Sequence, residues 1–231
     1  MEAAAGFGGT VITVALASQL LPVDDILARI LPVNMLLSAY VVARHRHHVD
    51  RRLLFARILP WMGIGLVGGY FVARSTSPGW LKIVFAVFVL VLSVLELVAL
   101  KRKVPPKKLP DVLSAFALLG AGVLHGLFAC GGPLAVWTVG RDARDKGIFR
   151  ATLSALWLAL NLVLLAGFVH DTKITTITLR ESALLLVPLV LGIVLGERVH
   201  ARLSPERFRV GVYGLLFVAA LVLLVRSIFA A

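Results

Sequence analysis

Long apolar stretches separated by short charged loops form the dominant pattern of this chain. Eight stretches contain no Asp, Glu, Lys or Arg: residues 3–23, 30–43, 58–73, 83–95, 112–140, 151–169, 182–196 and 210–225. A helix needs about 20 predominantly apolar residues to cross a bilayer, and apolar flanking residues lengthen the shorter stretches toward that length. The pattern therefore predicts an all-α polytopic membrane protein with no soluble domain.

Two glycine breaks interrupt this apolar pattern, one in each half of the chain. The first is Gly6–Gly9, and the second is Gly126–Pro133, inside the longest charge-free stretch. A broken helix frees backbone N–H and C=O groups that lipid cannot satisfy, so such breaks occur where protein or a cavity surrounds them. A matching pair is the sequence signal of a transporter binding site. Only Met1–Ala5 precede the first break, so either the start is truncated or this half has lost part of a helix.

The two halves of the chain align with each other, which indicates an internal duplication. At an offset of 127 residues, two glycines, an asparagine and a Ser-Pro pair recur in the same order. The matching pairs are Asn34 and Asn161, Gly65 and Gly192, Gly69 and Gly196, and Ser77-Pro78 and Ser204-Pro205. The shared Gly-x-x-x-Gly spacing is typical of close helix packing in membranes.

Each repeat is therefore predicted to contain a broken segment followed by three transmembrane helices. Repeat 1 spans residues 1–100, a basic linker spans 101–110, and repeat 2 spans 111–231. The predicted segments are 3–22, 26–44, 53–73 and 79–100 in repeat 1, and 111–140, 147–169, 180–199 and 205–227 in repeat 2.

The net charge of +12 comes from basic residues in short loops between the apolar stretches. This is the placement that the positive-inside rule describes, and it indicates contact with anionic lipid headgroups rather than with nucleic acid. In repeat 1 the basic loop, 44–52, follows the first full helix, whereas in repeat 2 the basic loop, 198–209, follows the second. If basic loops are cytoplasmic, the repeats are inverted and each broken segment is a re-entrant hairpin. The alternative is eight full crossings with parallel repeats.

A motif that follows the second break is similar to a known family. Gly131-Gly132-Pro133 is followed, after a basic loop, by the residues KGIFRATL at 146–153. This combination resembles the second half of the sulfite exporter TauE/SafE family, and Gly6–Gly9, Pro22 and Gly63–Gly69 resemble its first half. The resemblance covers nearly the whole chain. It implies an integral membrane protein that moves sulfur-containing anions, among them sulfite and sulfonates.

The glycine breaks supply the first candidate site for an anion. Helices that restart at Gly9-Thr10 and at Gly132, each preceded by another glycine (Gly8 and Gly131), would present free N–H groups and positive dipole ends near the midplane. The alternative explanation of these glycines is close helix packing.

Polar side chains near the breaks supply further candidates. Arg29 and Arg150 start the helix after each break at near-equivalent positions, and each either attracts an anion or snorkels to the interface. The uncharged polar residues at membrane depth are Thr10, Asn34, Thr152, Ser154 and Asn161, which bond either substrate oxygens or neighbouring helices. His125 lies one turn before the second break and is a candidate proton carrier, with a packing histidine as the alternative.

Other chemistry has little support in the sequence. Cys130 is the single cysteine, so an intrachain disulfide and a cysteine metal site are both excluded. His45, His47 and His48 resemble a metal cluster, but a basic loop beside the membrane favours contact with headgroups. No cofactor or metal site is predicted.

Transport of a small anion is the function that these features favour. An intramembrane enzyme would need ionisable residues that converge at depth, whereas Glu96, Glu181 and Glu197 lie near helix ends. A structural membrane protein would not explain the duplicated breaks. The expected partners are a small anionic substrate and membrane lipids, in a prokaryotic-type plasma (inner) membrane. Both a monomer and a homo-oligomer are compatible with the sequence.

Overall fold

The computed structural model describes residues 9–102, 109–139, 146–202 and 205–229, and these ranges are mostly helical and contain no strand. The α-helices are α1 (Gly9–Ala17), α2 (Val23–His45), α3 (Leu59–Ser75), α4 (Pro78–Arg102), α5 (Asp111–Phe128), α6 (Gly132–Val139), α7 (Lys146–His170), α8 (Thr176–Arg202) and α9 (Pro205–Phe229). A 3-10 turn (Arg46–His48) follows α2, and a π-helical segment (Leu53–Ile58) leads into α3. Gly8, most of the linker (103–108) and the loop 140–145 lie outside the described residues.

Several described helices are long and apolar enough to cross a membrane. Five candidate spans meet both criteria: Val23–His48, Leu53–Ser75, Pro78–Lys101, Asp111–Phe128 and Gly147–His170. The predicted all-α polytopic membrane protein is therefore confirmed. The duplication into two repeats stays a prediction.

Charges at both ends of α2 and a proline at the start of α4 suit the positions where these helices begin or end. Asp24 and Asp25 lie in the first turn of α2, and Arg44 lies in its last turn. Both placements are favourable for the helix dipole. Proline begins α4 at Pro78, where the missing N–H has no helical partner to lose. Pro60 lies directly after the π-helical segment that continues into α3.

Glycines allow α3 and α5 to pack with their backbones in direct contact. A Cβ atom added to Gly65 or Gly69 would collide with backbone atoms of α5, and one added to Gly122 or Gly126 would collide with backbone atoms of α3. Both pairs have the Gly-x-x-x-Gly spacing. Close packing is therefore the role of these glycines, which include the first glycine of the second break.

Contacts between loops define two ends of the helical bundle. At one end, here called the basic end, Arg57 Nη2 lies 3.3 Å from Asp111 Oδ1, and the Asp50 N–H donates to Thr152 Oγ1 over 2.9 Å. This end holds the C-terminus of α2 and the N-termini of α5 and α7. At the other end, here called the acidic end, Lys173 Nζ contacts Asp24 Oδ2 at 3.1 Å.

Helices α2 and α7 consequently run antiparallel. The duplication would make these two helices equivalent, and an antiparallel pair of equivalent helices is what inverted repeats require. Helix α6 also turns back toward the basic end, because Val139 shares an apolar cluster with Leu54 and Leu153. The α5–α6 segment thus forms a hairpin within the bundle.

Candidate functional site

The second break lies between α5 and α6, as the sequence predicts. Helix α5 ends at Phe128, and α6 begins at Gly132. The left-handed residue at the break is Ala129, with φ of 52°, rather than one of the glycines. Its N–H donates to His125 O over 2.7 Å and closes the last turn of α5. A non-glycine residue in this conformation costs about 1–2 kcal/mol, so the surrounding structure must hold the break in place.

Gly131 is explained by packing inside this hairpin. A Cβ atom at this position would collide with Ala121 O and come within 3.0 Å of His125 Cβ. The two arms of the hairpin can therefore approach each other only with glycine here. Gly132 and Pro133 are buried at the start of α6.

His125 is buried beside the break and contacts helix α7 through two side chains. It is 2% exposed, and its Nε2 lies 3.0 Å from Asn161 Oδ1. Its ring stacks on Trp157, with centroids 5.5 Å apart and planes 14° apart. Nδ1 is buried and has no hydrogen-bonding partner among the described residues. The structure thus joins two predicted site residues, His125 and Asn161.

The first half contains a similar pair. Asn34 of α2 donates from Nδ2 to Thr10 Oγ1 of α1 over 3.0 Å. Asn34 and Asn161 are the residues that the predicted duplication aligns. In each half, the asparagine of the first full helix therefore binds a polar side chain of the broken segment.

The two broken segments contribute to one buried apolar core. Val11 and Val14 of α1 belong to the same cluster as Phe128, Ala129 and Cys130 of the second break. Side chains of α2, α4, α7 and α9 complete this cluster. The structure consequently brings α1 and the second break together, although they are more than a hundred residues apart in the chain.

Arg150 and Thr152 lie near the start of α7, at the basic end. Nε of Arg150 is buried and has no hydrogen-bonding partner among the described residues. Thr152 Oγ1 donates to Ile148 O over 2.8 Å and accepts the Asp50 N–H. The hydroxyl therefore donates within α7, and the hydrogen bond that it accepts joins α7 to the loop after α2.

Arg29 differs from Arg150 because it has an acidic partner. Its Nε donates to Glu181 Oε2 over 2.7 Å, and its Nη1 donates to Asp25 O over 2.6 Å. Ser182 Oγ donates to Arg29 O over 2.7 Å. These contacts join α2 to α8 at the acidic end, and sequence reasoning did not identify Glu181 as the partner.

Asp171 is the centre of a second network at the acidic end, also missed from the sequence. Tyr70 OH donates to Asp171 Oδ2 over 2.6 Å, and Arg74 Nη1 lies 3.3 Å from Oδ1. The hydrogen bond from Tyr70 lowers the pKa of Asp171 below its ordinary value of 3.8. These contacts hold the C-terminal part of α3 against the loop after α7.

Metal ligation has no cluster to support it in the part of the chain that the structure describes. No group of three His, Cys, Asp or Glu side chains there could hold a metal ion. His45 and His48 contact each other edge to face, with ring centroids 6.1 Å apart. Cys130 is buried within the apolar core.

Comparison with known proteins gives one match. A family model described as Sulfite exporter TauE/SafE matches residues 1–223. Nothing among the curated proteins or the solved structures matches the chain. The matched span includes both glycine breaks, both asparagines and the KGIFRATL motif.

Proposed function

The chain belongs to the sulfite exporter TauE/SafE family, and from this membership we propose that it exports sulfite or a related small anion. The proposed substrate path passes between α1 and the second glycine break, where α1, α2, α5 and α7 meet. Lipid surrounds the protein, and the small anion is its substrate. Since the family consists of exporters, we propose no catalytic activity.

One observation carries this proposal: the equivalent asparagines bind the two broken segments. Asn34 contacts Thr10, and Asn161 contacts His125. Polar side chains are expensive in a bilayer, and those that occur inside a transporter commonly mark the pathway of its substrate. Amide and hydroxyl groups at this depth can exchange their partners for the oxygens of an oxyanion.

Positive charge near the second break favours an anion over a neutral solute. The first turn of α6 presents backbone N–H groups and the positive end of its dipole. Pro133 lacks an N–H, so Gly132 and its neighbours must supply the donors. Arg150 lies at the basic end, where a guanidinium could attract the anion before it reaches the break. In the first half, we propose that Gly8, Gly9 and Thr10 supply the corresponding groups.

The experiment is anion flux into proteoliposomes that contain the purified protein. Sulfite, methanesulfonate, thiosulfate, acetate and phosphate would each be supplied outside, and uptake would be compared with uptake by protein-free vesicles. We expect sulfite uptake to exceed acetate and phosphate uptake. Gly132→Leu should insert normally but lose flux, because its side chain would occupy the space next to the substrate.

Two results would contradict the proposal. Sulfite uptake no faster than in protein-free vesicles would remove the transport function. Wild-type flux in a well-folded Gly132→Leu variant would remove the second break from the substrate path.

A further inference from the structure

His125 has one ring nitrogen in use and one without a partner. Oδ1 of Asn161 accepts a hydrogen bond from Nε2, which therefore carries the proton of the neutral ring. Nδ1 then presents a lone pair, and it is buried without a partner among the described residues. A buried acceptor of this kind is costly, so it calls for a ligand that donates a hydrogen bond.

The surroundings of His125 hold the ring in this orientation. Trp157 stacks on one face of the ring, and the Ala129 N–H binds the His125 carbonyl. Trp157 and Asn161 lie four residues apart on α7, so one face of this helix contacts the ring at two points. The histidine is consequently positioned, and its free lone pair has a fixed direction.

The helices packed around His125 bring few other titratable groups close to it. Residues 30–43 of α2, 59–73 of α3, 132–139 of α6 and 151–169 of α7 contain no Asp, Glu, Lys or Arg. Cys130 lies in the break, and Tyr40 of α2 is 60% exposed. The hydroxyl of Tyr70 in α3 donates a hydrogen bond to Asp171 at the acidic end. No Asp, Glu, Lys or Arg side chain of these described segments can therefore donate a proton to Nδ1.

We propose that the transported species is a singly protonated oxyanion, hydrogen sulfite in the case of sulfite, whose hydroxyl donates to Nδ1 of His125. This inference rests on the proposed function and adds the protonation state of the substrate. The proton stays on the substrate oxygen or moves to Nδ1 and back, so atoms and charge balance with one proton and one sulfite dianion per transported ion. Desolvation favours this form, because the cost of burying an ion rises with the square of its charge.

The proposal also sets a preference among anions. A sulfonate such as methanesulfonate has the same SO₃ head and a single charge, but it has no hydroxyl. It would leave Nδ1 without a partner, and we expect its uptake to be slower than that of sulfite by about tenfold or more.

The test is the direction of the pH change inside proteoliposomes during sulfite uptake. The vesicles would contain a pH indicator at neutral pH, with the membrane potential clamped by potassium and valinomycin. Hydrogen sulfite releases protons after it enters, so it acidifies the lumen, whereas the dianion takes up protons and makes the lumen alkaline. We expect acidification above that of protein-free vesicles, in proportion to the sulfite that enters.

Two variants locate this behaviour at His125. His125→Gln keeps an N–H for Asn161 but has no acceptor fixed at the position of Nδ1, and we expect sulfite uptake and acidification to fall about tenfold or more. His170→Gln is the matched control, because the His170 side chain is 81% exposed at the end of α7. It should acidify the lumen at the wild-type rate.

Each remaining outcome rejects a defined part of the proposal. Sulfite uptake with an alkaline lumen means that the dianion is carried, which overturns the inference and leaves the proposed function standing. His125→Gln vesicles that acidify at the wild-type rate, or methanesulfonate uptake as fast as that of sulfite, overturn it equally. The direction of the pH change and the comparison of methanesulfonate with sulfite are measured on the wild-type protein, so they test the inference even if the variant fails to fold. No sulfite uptake by the wild-type protein rejects the proposed function and the inference together.

Discussion

Two arginines that the predicted duplication places at near-equivalent positions, Arg29 and Arg150, have different partners. In the first half, Arg29 binds Glu181 and Asn34 binds Thr10. In the second half, the buried Nε of Arg150 and Nδ1 of His125 have no hydrogen-bonding partner among the described residues. The two arginines therefore differ in their partners, whereas each asparagine binds a polar side chain of the broken segment in its own half. Gln19 Oε1 of the first half is likewise buried without a hydrogen-bonding partner among the described residues. From the difference between the two arginines, we propose that ligand binding belongs mainly to the second half, whereas Arg29 holds α2 against α8.

The largest expected effect concerns membrane topology, because we expect the two halves to be inverted relative to each other. In a Cys130→Ser background, single cysteines at Val49, Ser75 and Thr175 would be treated with an impermeant thiol reagent in intact cells. The structure places Val49 at the basic end and the other two at the acidic end. We expect labelling of Ser75→Cys and Thr175→Cys but not of Val49→Cys, since basic loops face the cytoplasm. Labelling of only one of the two acidic-end cysteines would contradict the antiparallel arrangement.

The support of the second break by α3 can be removed with a single substitution. Gly69→Val would place its side chain against the backbone of α5 at Val123, and we expect a loss of about 3 kcal/mol or more in folding stability. Gly68→Val is the matched control, because nothing lies within 4 Å of a Cβ atom there. Thermal unfolding in detergent would measure both. Equal stability of the two variants would mean that α3 and α5 are not in close contact.

The two asparagines can be compared directly by substitution with alanine. Asn161→Ala leaves the buried His125 ring without its partner, and we expect a cost of about 1–3 kcal/mol. Asn34→Ala should cost about 0.5–1.5 kcal/mol, because this side chain is only half-buried. Unfolding temperatures and sulfite flux would be measured for both. A larger loss of flux from Asn34→Ala would reverse the assignment of roles to the halves.

Acidic pH should weaken the contacts at the acidic end, with a smaller effect on folding stability than the substitutions above. The folded protein lowers the pKa of Asp171 through the hydrogen bond from Tyr70. The carboxylate therefore stabilises the fold fully above its unfolded pKa of about 3.8, and this contribution is lost as the pH falls through the lowered value. Asp171→Asn should reduce the loss of stability between neutral pH and this acidic range. An identical pH dependence in both proteins would show that Asp171 does not contribute.

The helices and the second break could be predicted from the sequence, because both depend on local patterns. Apolar length determines which segments can cross a bilayer, and the glycines mark where the packing is tight. The exact bend could not be predicted, since Ala129 rather than a glycine takes the left-handed conformation. Nothing in the residue type of Ala129 distinguishes it from its neighbours.

Side-chain partners between distant segments also escaped sequence reasoning. Arg29 and Glu181 are 152 residues apart, and only the packing of α2 on α8 makes them neighbours. Trp157 was missed for a different reason, since a tryptophan in an apolar helix usually packs in a core. Its spacing of four residues from Asn161 was the available signal, because residues at this spacing share a helix face.

The affinity of two matched arginine variants for sulfite tests the division of roles most directly. Arg150→Lys replaces the planar guanidinium by a single ammonium, and Arg29→Lys makes the same change in the first half. With calorimetry on the purified proteins, the account predicts that Arg150→Lys weakens sulfite binding by about tenfold, whereas Arg29→Lys binds as the wild-type protein does. Equal affinity of Arg150→Lys and the wild-type protein, or a larger loss in Arg29→Lys, would contradict a ligand-binding role that belongs to the second half.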